Sequence, residues 1–203
     1  MKKNNMFFYL TAYLALLIPA PGRFVYGFTL MTEVFLLSII GGLSVLLIEK
    51  IKFDQLKSTL FILILVAFSI LFRQILIIIN SQVALTLGFV VFFPPVSLFI
   101  LNILFTLKTE KFLVQFRHRI VKMLIFTLGG MMIFLIRDIL GYGTFTFFGK
   151  NHFIYEKVLF DSNKIGVFSL LASIPGVLVI LGIIYFLFIQ FSKKFEILKN
   201  KEL

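Results

Sequence analysis

The chain has 203 residues, 60% of them hydrophobic and 14% charged, with a formal net charge of +11 and no cysteine. A mean hydropathy of +1.07 excludes a soluble domain, whose surface-to-volume ratio would leave too much apolar side chain in water. The absence of cysteine excludes disulfides, thiolate nucleophiles and Cys-ligated zinc or iron–sulfur centres within this chain.

Six apolar runs follow one another. Met6–Ile18 is nearer a half-span than a full one and reads as a retained helix rather than a cleaved signal. A turn holding Pro19, Pro21 and Arg23 ends it. Tyr26–Ile48 is long enough to cross a bilayer, and the charged loop Glu49–Lys57 leads to Thr59–Ile79. After the polar turn Asn80-Ser81-Gln82 comes Leu85–Leu107, interrupted near its middle by Pro94 and Pro95. Proline removes a backbone donor and clashes with the preceding turn, so a straight helix is not expected there. The basic loop Lys108–Arg119 precedes Val121–Leu140. Gly141–Lys164 is the longest stretch outside the membrane, and Gly166–Phe191, with Pro175-Gly176 inside it, is the last run before a basic tail. The runs are continuously apolar, which fits helices and not the short alternating segments of a barrel.

The expected architecture is therefore an all-α integral membrane protein, one domain over residues 1–203 with six transmembrane segments. Basic residues concentrate at the N-terminus, in the second and fourth connections and in the tail. This places both termini on the cytoplasmic side by the positive-inside rule, and it accounts for the net charge without nucleic acid. Three segments per half, with segments 1 and 4 both broken by proline, suggest two inverted repeats, about 6–79 and 84–191.

Charges inside spans are rare and costly. Glu33 and Arg73 lie at similar depth near the outer ends of segments 2 and 3, and form a candidate ion pair, with separate snorkelling to the interface as the alternative. Asn102 in segment 4 offers an amide for bonding across helices. Gly41-Gly42, Gly129-Gly130 and Gly182 mark places where backbones approach. His118 and His152 lie in polar connections, and no His/Asp/Glu group has metal-ligand spacing. Arg137 and Asp138 close segment 5. Their pairing is expected to fix the exit of the chain, a structural role, with Gly141 and Gly143 permitting a sharp turn.

The stretch from Ile136 through Arg137, Asp138, Leu140, Gly141, Gly143 and Thr144, then Phe148-Gly149, resembles the Arg-acidic-x-Leu-Gly-x-Gly-Thr signature of the Rnf/Nqr membrane-subunit family. The likeness is to the E-type Rnf subunit and to its D-type counterpart in the sodium-pumping NADH:quinone reductase. Leu170–Gly182, with Pro175-Gly176, resembles that family's last helix. Leu87-Gly88, the prolines after it, Asn102 and Lys108–Phe112 resemble its fourth helix and the loop that follows. The resemblance implies a multi-pass subunit of the bacterial inner membrane, in an ion-translocating electron-transport complex. It implies a paralogous six-helix partner and other redox subunits, which hold flavin or iron–sulfur groups. The family carries a cysteine in each broken helix, and this chain has Ile18 and Ile103 at the matching positions. No cofactor is therefore expected on this chain alone, and no catalytic residue is named. Two other readings remain open: a small-solute or vitamin transporter component, and an assembly subunit without redox chemistry.

Overall fold

Long apolar runs cannot leave backbone N–H and C=O groups unpaired in lipid, and helices pair them internally. The computed structural model, which describes residues 3–48, 54–105, 112–149, 153–160 and 170–199, is accordingly mostly helical. In order it has α1 (Lys3–Leu17), α2 (Phe24–Ile48), α3 (Asp54–Ile79), α4 (Ser81–Leu87), a 3-10 turn (Gly88–Phe92), α5 (Phe93–Phe105) and α6 (Phe112–Ile136). A π-turn (Arg137–Tyr142), a hairpin of β1 (Thr144–Phe148) and β2 (Ile154–Val158), and α7 (Ile174–Lys199) complete it.

Four stretches are long and apolar enough to cross a membrane: Phe24–Val45, Leu56–Ile79, Ser81–Leu101 and Phe116–Tyr142. Phe24–Val45, which is one unbroken helix, has 22 residues, about 33 Å at ~1.5 Å per residue, which matches the hydrocarbon core. Phe8–Leu17 and Ile174–Leu187 are shorter apolar helices.

The centre is the packing of α2 on α6. Small residues let these two backbones close: a β-carbon on Gly27 would overlap the Phe134 ring, and one on Gly130 would overlap Met31. Helix α1 lies on α5, where Ser97 Oγ donates to the Ala12 carbonyl at 3.2 Å. Tyr13 stacks on Phe126 at 4.2 Å and donates its hydroxyl to that residue's carbonyl at 2.7 Å. Helix α3 turns Leu63, Leu71, Ile75 and Ile78 outward, and α7 does the same with Leu178, Ile183 and Phe186. Such apolar faces match a lipid surround.

Three expectations shift. The break in segment 4 falls at Gly88–Phe92, earlier than the prolines. Gly88 takes φ +49°, a conformation L-residues disfavour, and ends α4 there. Pro94 and Pro95 then sit in the first turn of α5, where a missing donor is harmless. The last run is broken at Ser173: residues 170–172 are helical, α7 begins at Ile174, and Pro175 and Gly176 fall in its first turn. The fold, expected to be all-α, has an antiparallel hairpin in the connection after segment 5, with Thr144 opposite Val158 and Phe148 opposite Ile154. Thr144 and Thr146 point inward, while Phe145 and Phe147 stack on Phe24 and Phe147 meets Phe28 edge-on.

Candidate functional site: a polar junction and a buried carboxyl

Chain breaks leave backbone carbonyls without donors. Pro21 has no N–H, so the Leu17 carbonyl at the end of α1 lacks its usual i+4 donor. Arg137 supplies one: Nη1 donates to Leu17 O at 3.2 Å and lies 3.5 Å from Ala20 O. The same happens before α7. The Gly176 N–H turns to Ser173 Oγ at 3.5 Å, and the freed Ala172 carbonyl accepts from Arg137 Nη2 at 3.0 Å. One guanidinium, 2% exposed, thus closes two breaks that lie far apart in sequence. A planar fork with five donors suits this better than an ammonium.

Asp138 closes the other side. It is fully buried and accepts from Thr144 Oγ1 (2.8 Å), Thr146 N (2.8 Å), Thr146 Oγ1 (2.7 Å) and Phe24 N (3.1 Å). The last bond sets a carboxylate at the N-terminus of α2, where the helix dipole favours it. Arg137 and Asp138 therefore do not pair with each other, contrary to expectation. Consecutive residues of a helical turn do not face each other, so one side chain reaches α1 and α7 while the other reaches α2 and the hairpin. Gly141 packs so tightly that a β-carbon would meet the Ala172 backbone. The carbonyl of Gly143, a residue at φ +68°, accepts from Leu159 N (2.8 Å) and Phe160 N (3.1 Å), closing the hairpin base.

The hairpin tip rests on the α3–α4 turn. Asn80 caps α4 by accepting from Val83 N at 3.0 Å and donates to Phe153 O at 3.2 Å. Gln82 Oε1 accepts from Ile154 N at 2.9 Å. Arg23 forms an ion pair with Glu156 across to β2. Burial pulls the Arg23 guanidinium down, but its hydrogen bond to Glu156 and that charge outweigh this and raise its pKa.

The second polar feature is inside the bundle. Glu33 is fully buried on α2, and neither carboxyl oxygen has a hydrogen-bond partner. It faces the Ser69 hydroxyl of α3, also fully buried and unbonded. No ion pair joins Glu33 to Arg73. Helix α3 presents Ser69, one turn deeper than Arg73, to the carboxyl. Arg73 is half-buried, with its Nε unbonded.

Pro19 lies in the turn after α1 and Ile18 at the helix end, its N–H bonded to Leu14 O at 3.2 Å. Asn102 and Ile103 are in α5, but their side chains lie outside the described residues. With no cysteine in the chain and isoleucine at position 18, the residues present do not fit an iron–sulfur half-site. Among the described residues no group of three His, Cys, Asp or Glu side chains is placed to hold a metal ion. Gly182, expected at a close helix contact, has no described atom within 4 Å of where a β-carbon would sit. Sequence reasoning missed Ser69 and Thr146, and placed Thr144 in the signature without a role. The Thr-Phe-Thr-Phe alternation was the available signal for the last two, being the period of a strand. Comparison with protein-family models and with curated proteins gives no match.

Proposed function

We propose that the chain is a membrane subunit of an Rnf/Nqr-like ion-translocating electron-transport complex that has lost its share of the intramembrane cluster. The observation that carries this reading is the Arg137–Thr144 stretch. The residues through which it resembles the family signature are those around which the chain is tied: Arg137 on two helix breaks, Asp138 on α2 and the hairpin, Gly141 and Gly143 at points that reject a β-carbon. A motif used this fully is a property of a fold, and the function follows by analogy with the family. The packing supports the inverted halves 6–79 and 84–191: α1 lies on α5 and α2 on α6, which are matching positions in the two halves, while α3 and α7 are both peripheral. In this reading all six segments cross the inner membrane, the termini are cytoplasmic, and the apolar outer faces of α3 or α7 meet a paralogous six-helix subunit.

The test is isolation of the tagged chain from native membranes in mild detergent, with mass spectrometry of its partners and optical and EPR spectra of the eluate. Co-purifying redox subunits with flavin or iron–sulfur signals support the proposal. A lone colourless protein overturns it and leaves a transporter or assembly role.

A further inference from the structure

The polar junction explains Arg137 and Asp138 as structure, but nothing in it uses Glu33. We propose that Glu33, with Ser69, is a proton-binding site within the membrane, and that Arg73 is the counter-ion that receives the carboxylate when the proton leaves. This inference does not depend on the redox reading, because it rests on this chain's own buried groups.

The geometry is specific. Glu33 lies in the span Phe24–Val45, nine residues past Phe24, about 13 Å along α2 at ~1.5 Å per residue. Both carboxyl oxygens and the facing Ser69 hydroxyl are sealed from solvent without hydrogen bonds. An ionised carboxylate without partners in this medium carries a large desolvation cost, so something must neutralise it. The charged groups facing it are few. Among the described residues, α3 offers Arg73 and α6 offers Arg119, which packs on α2 at Gly42, nine residues along the helix from Glu33, while α5 between 93 and 101, the rest of α6 between 123 and 136, and α4 present no charged side chain. Tyr13 of α1 is committed to Phe126 O. The neutraliser is then a proton or a small cation. Two carboxyl oxygens and one hydroxyl are too few for an alkali cation, which needs a shell of several oxygens. They suit a proton, because a protonated carboxyl donates to Ser69 Oγ. Arg73 is four residues from Ser69, on the same face of α3 one turn toward the helix end. In this proposal a carboxylate formed at Glu33 turns from Ser69 to the guanidinium one turn along the same helix face. The buried, unbonded Arg73 Nε is a donor left open for it.

The experiment is infrared difference spectroscopy of the full chain in lipid nanodiscs, as pH is raised from neutral, in sodium and in potassium buffers. Exposed carboxyls are ionised at neutral pH, so a protonated-carboxyl C=O band there belongs to a buried group. The expected result is such a band in the wild type that is absent from Glu33→Gln, bleaches reversibly as pH rises and is unaffected by swapping sodium for potassium. Ser69→Ala shifts the band's frequency without removing it, which a merely packing serine would not do. Arg73→Gln moves the bleaching midpoint up by about one pH unit or more, because the counter-ion of the charged form is gone, and Arg73→Lys restores most of that shift. A wild type without the band, a band that survives Glu33→Gln, or a band that never titrates overturns the proposal. Loss of the band on adding sodium at fixed pH overturns the proton assignment and makes the site a cation site. If Glu33→Gln does not fold, the wild-type titration and the Arg73 shift still decide.

Discussion

Arg137 and Asp138 are adjacent and opposite in charge, yet each is held by different neighbours. The consequence is that they fail separately. Arg137→Lys keeps the charge but one ammonium does not reach Leu17 O and Ala172 O together, so the variant is expected to lose about 1–2 kcal/mol. Asp138→Ala leaves the Phe24 and Thr146 N–H groups and the Thr144 hydroxyl without their acceptor, a loss of about 3 kcal/mol. Thermal unfolding in a fixed detergent measures both. Because the two side chains share no bond, the double variant is expected to show near-additive losses; strong coupling would mean that they act as a pair after all.

Between elements, two contacts can be tested against controls. Gly27 sits against Phe134 with no room for a β-carbon, whereas no described atom lies within 4 Å of a β-carbon on Gly182. Gly27→Ala is expected to destabilise by about 1–3 kcal/mol through overpacking at the α2–α6 seam. Gly182→Ala is expected to be neutral or slightly stabilising, since alanine is the better helix former. The hairpin offers the second test. Replacing Asn80 and Gln82 with alanine removes the α4 cap and two bonds to the tip. Amide exchange at Ile154 should accelerate by about tenfold, the effect of about 1–1.5 kcal/mol of lost bonding, while exchange in the α2–α6 seam is unchanged.

For the molecule as a whole, sidedness is the property to measure, and a chain without cysteine makes it simple. Single cysteines placed at Lys2, Lys150 and Leu203 are to be labelled in intact cells with a membrane-impermeant maleimide. The six-span reading expects labelling at position 150 and protection at positions 2 and 203 until the cells are opened. Labelling at either terminus in intact cells overturns it.

The sequence by itself was enough for those features that rest on composition and period. Continuous apolar runs in a chain this hydrophobic dictate helices in lipid, and proline marked segment 4 as interrupted, though the break itself falls at Gly88. Both readings depend on residues within a turn or two of each other. What tertiary structure decided depends on residues that meet across the bundle. Glu33 and Arg73 have matching depth by residue count, but rotation about the helix axes set Ser69 against the carboxyl. Arg137 and Asp138 invited a local pair, but the orphaned carbonyls of Leu17 and Ala172 and the exposed N–H of Phe24 are stronger claims on buried charge, and no count along the chain reveals where those groups lie. The hairpin's alternation was present in Thr144–Phe148, yet a two-stranded ribbon is marginal alone. It forms because Asp138, Phe24 and the α3–α4 turn hold it.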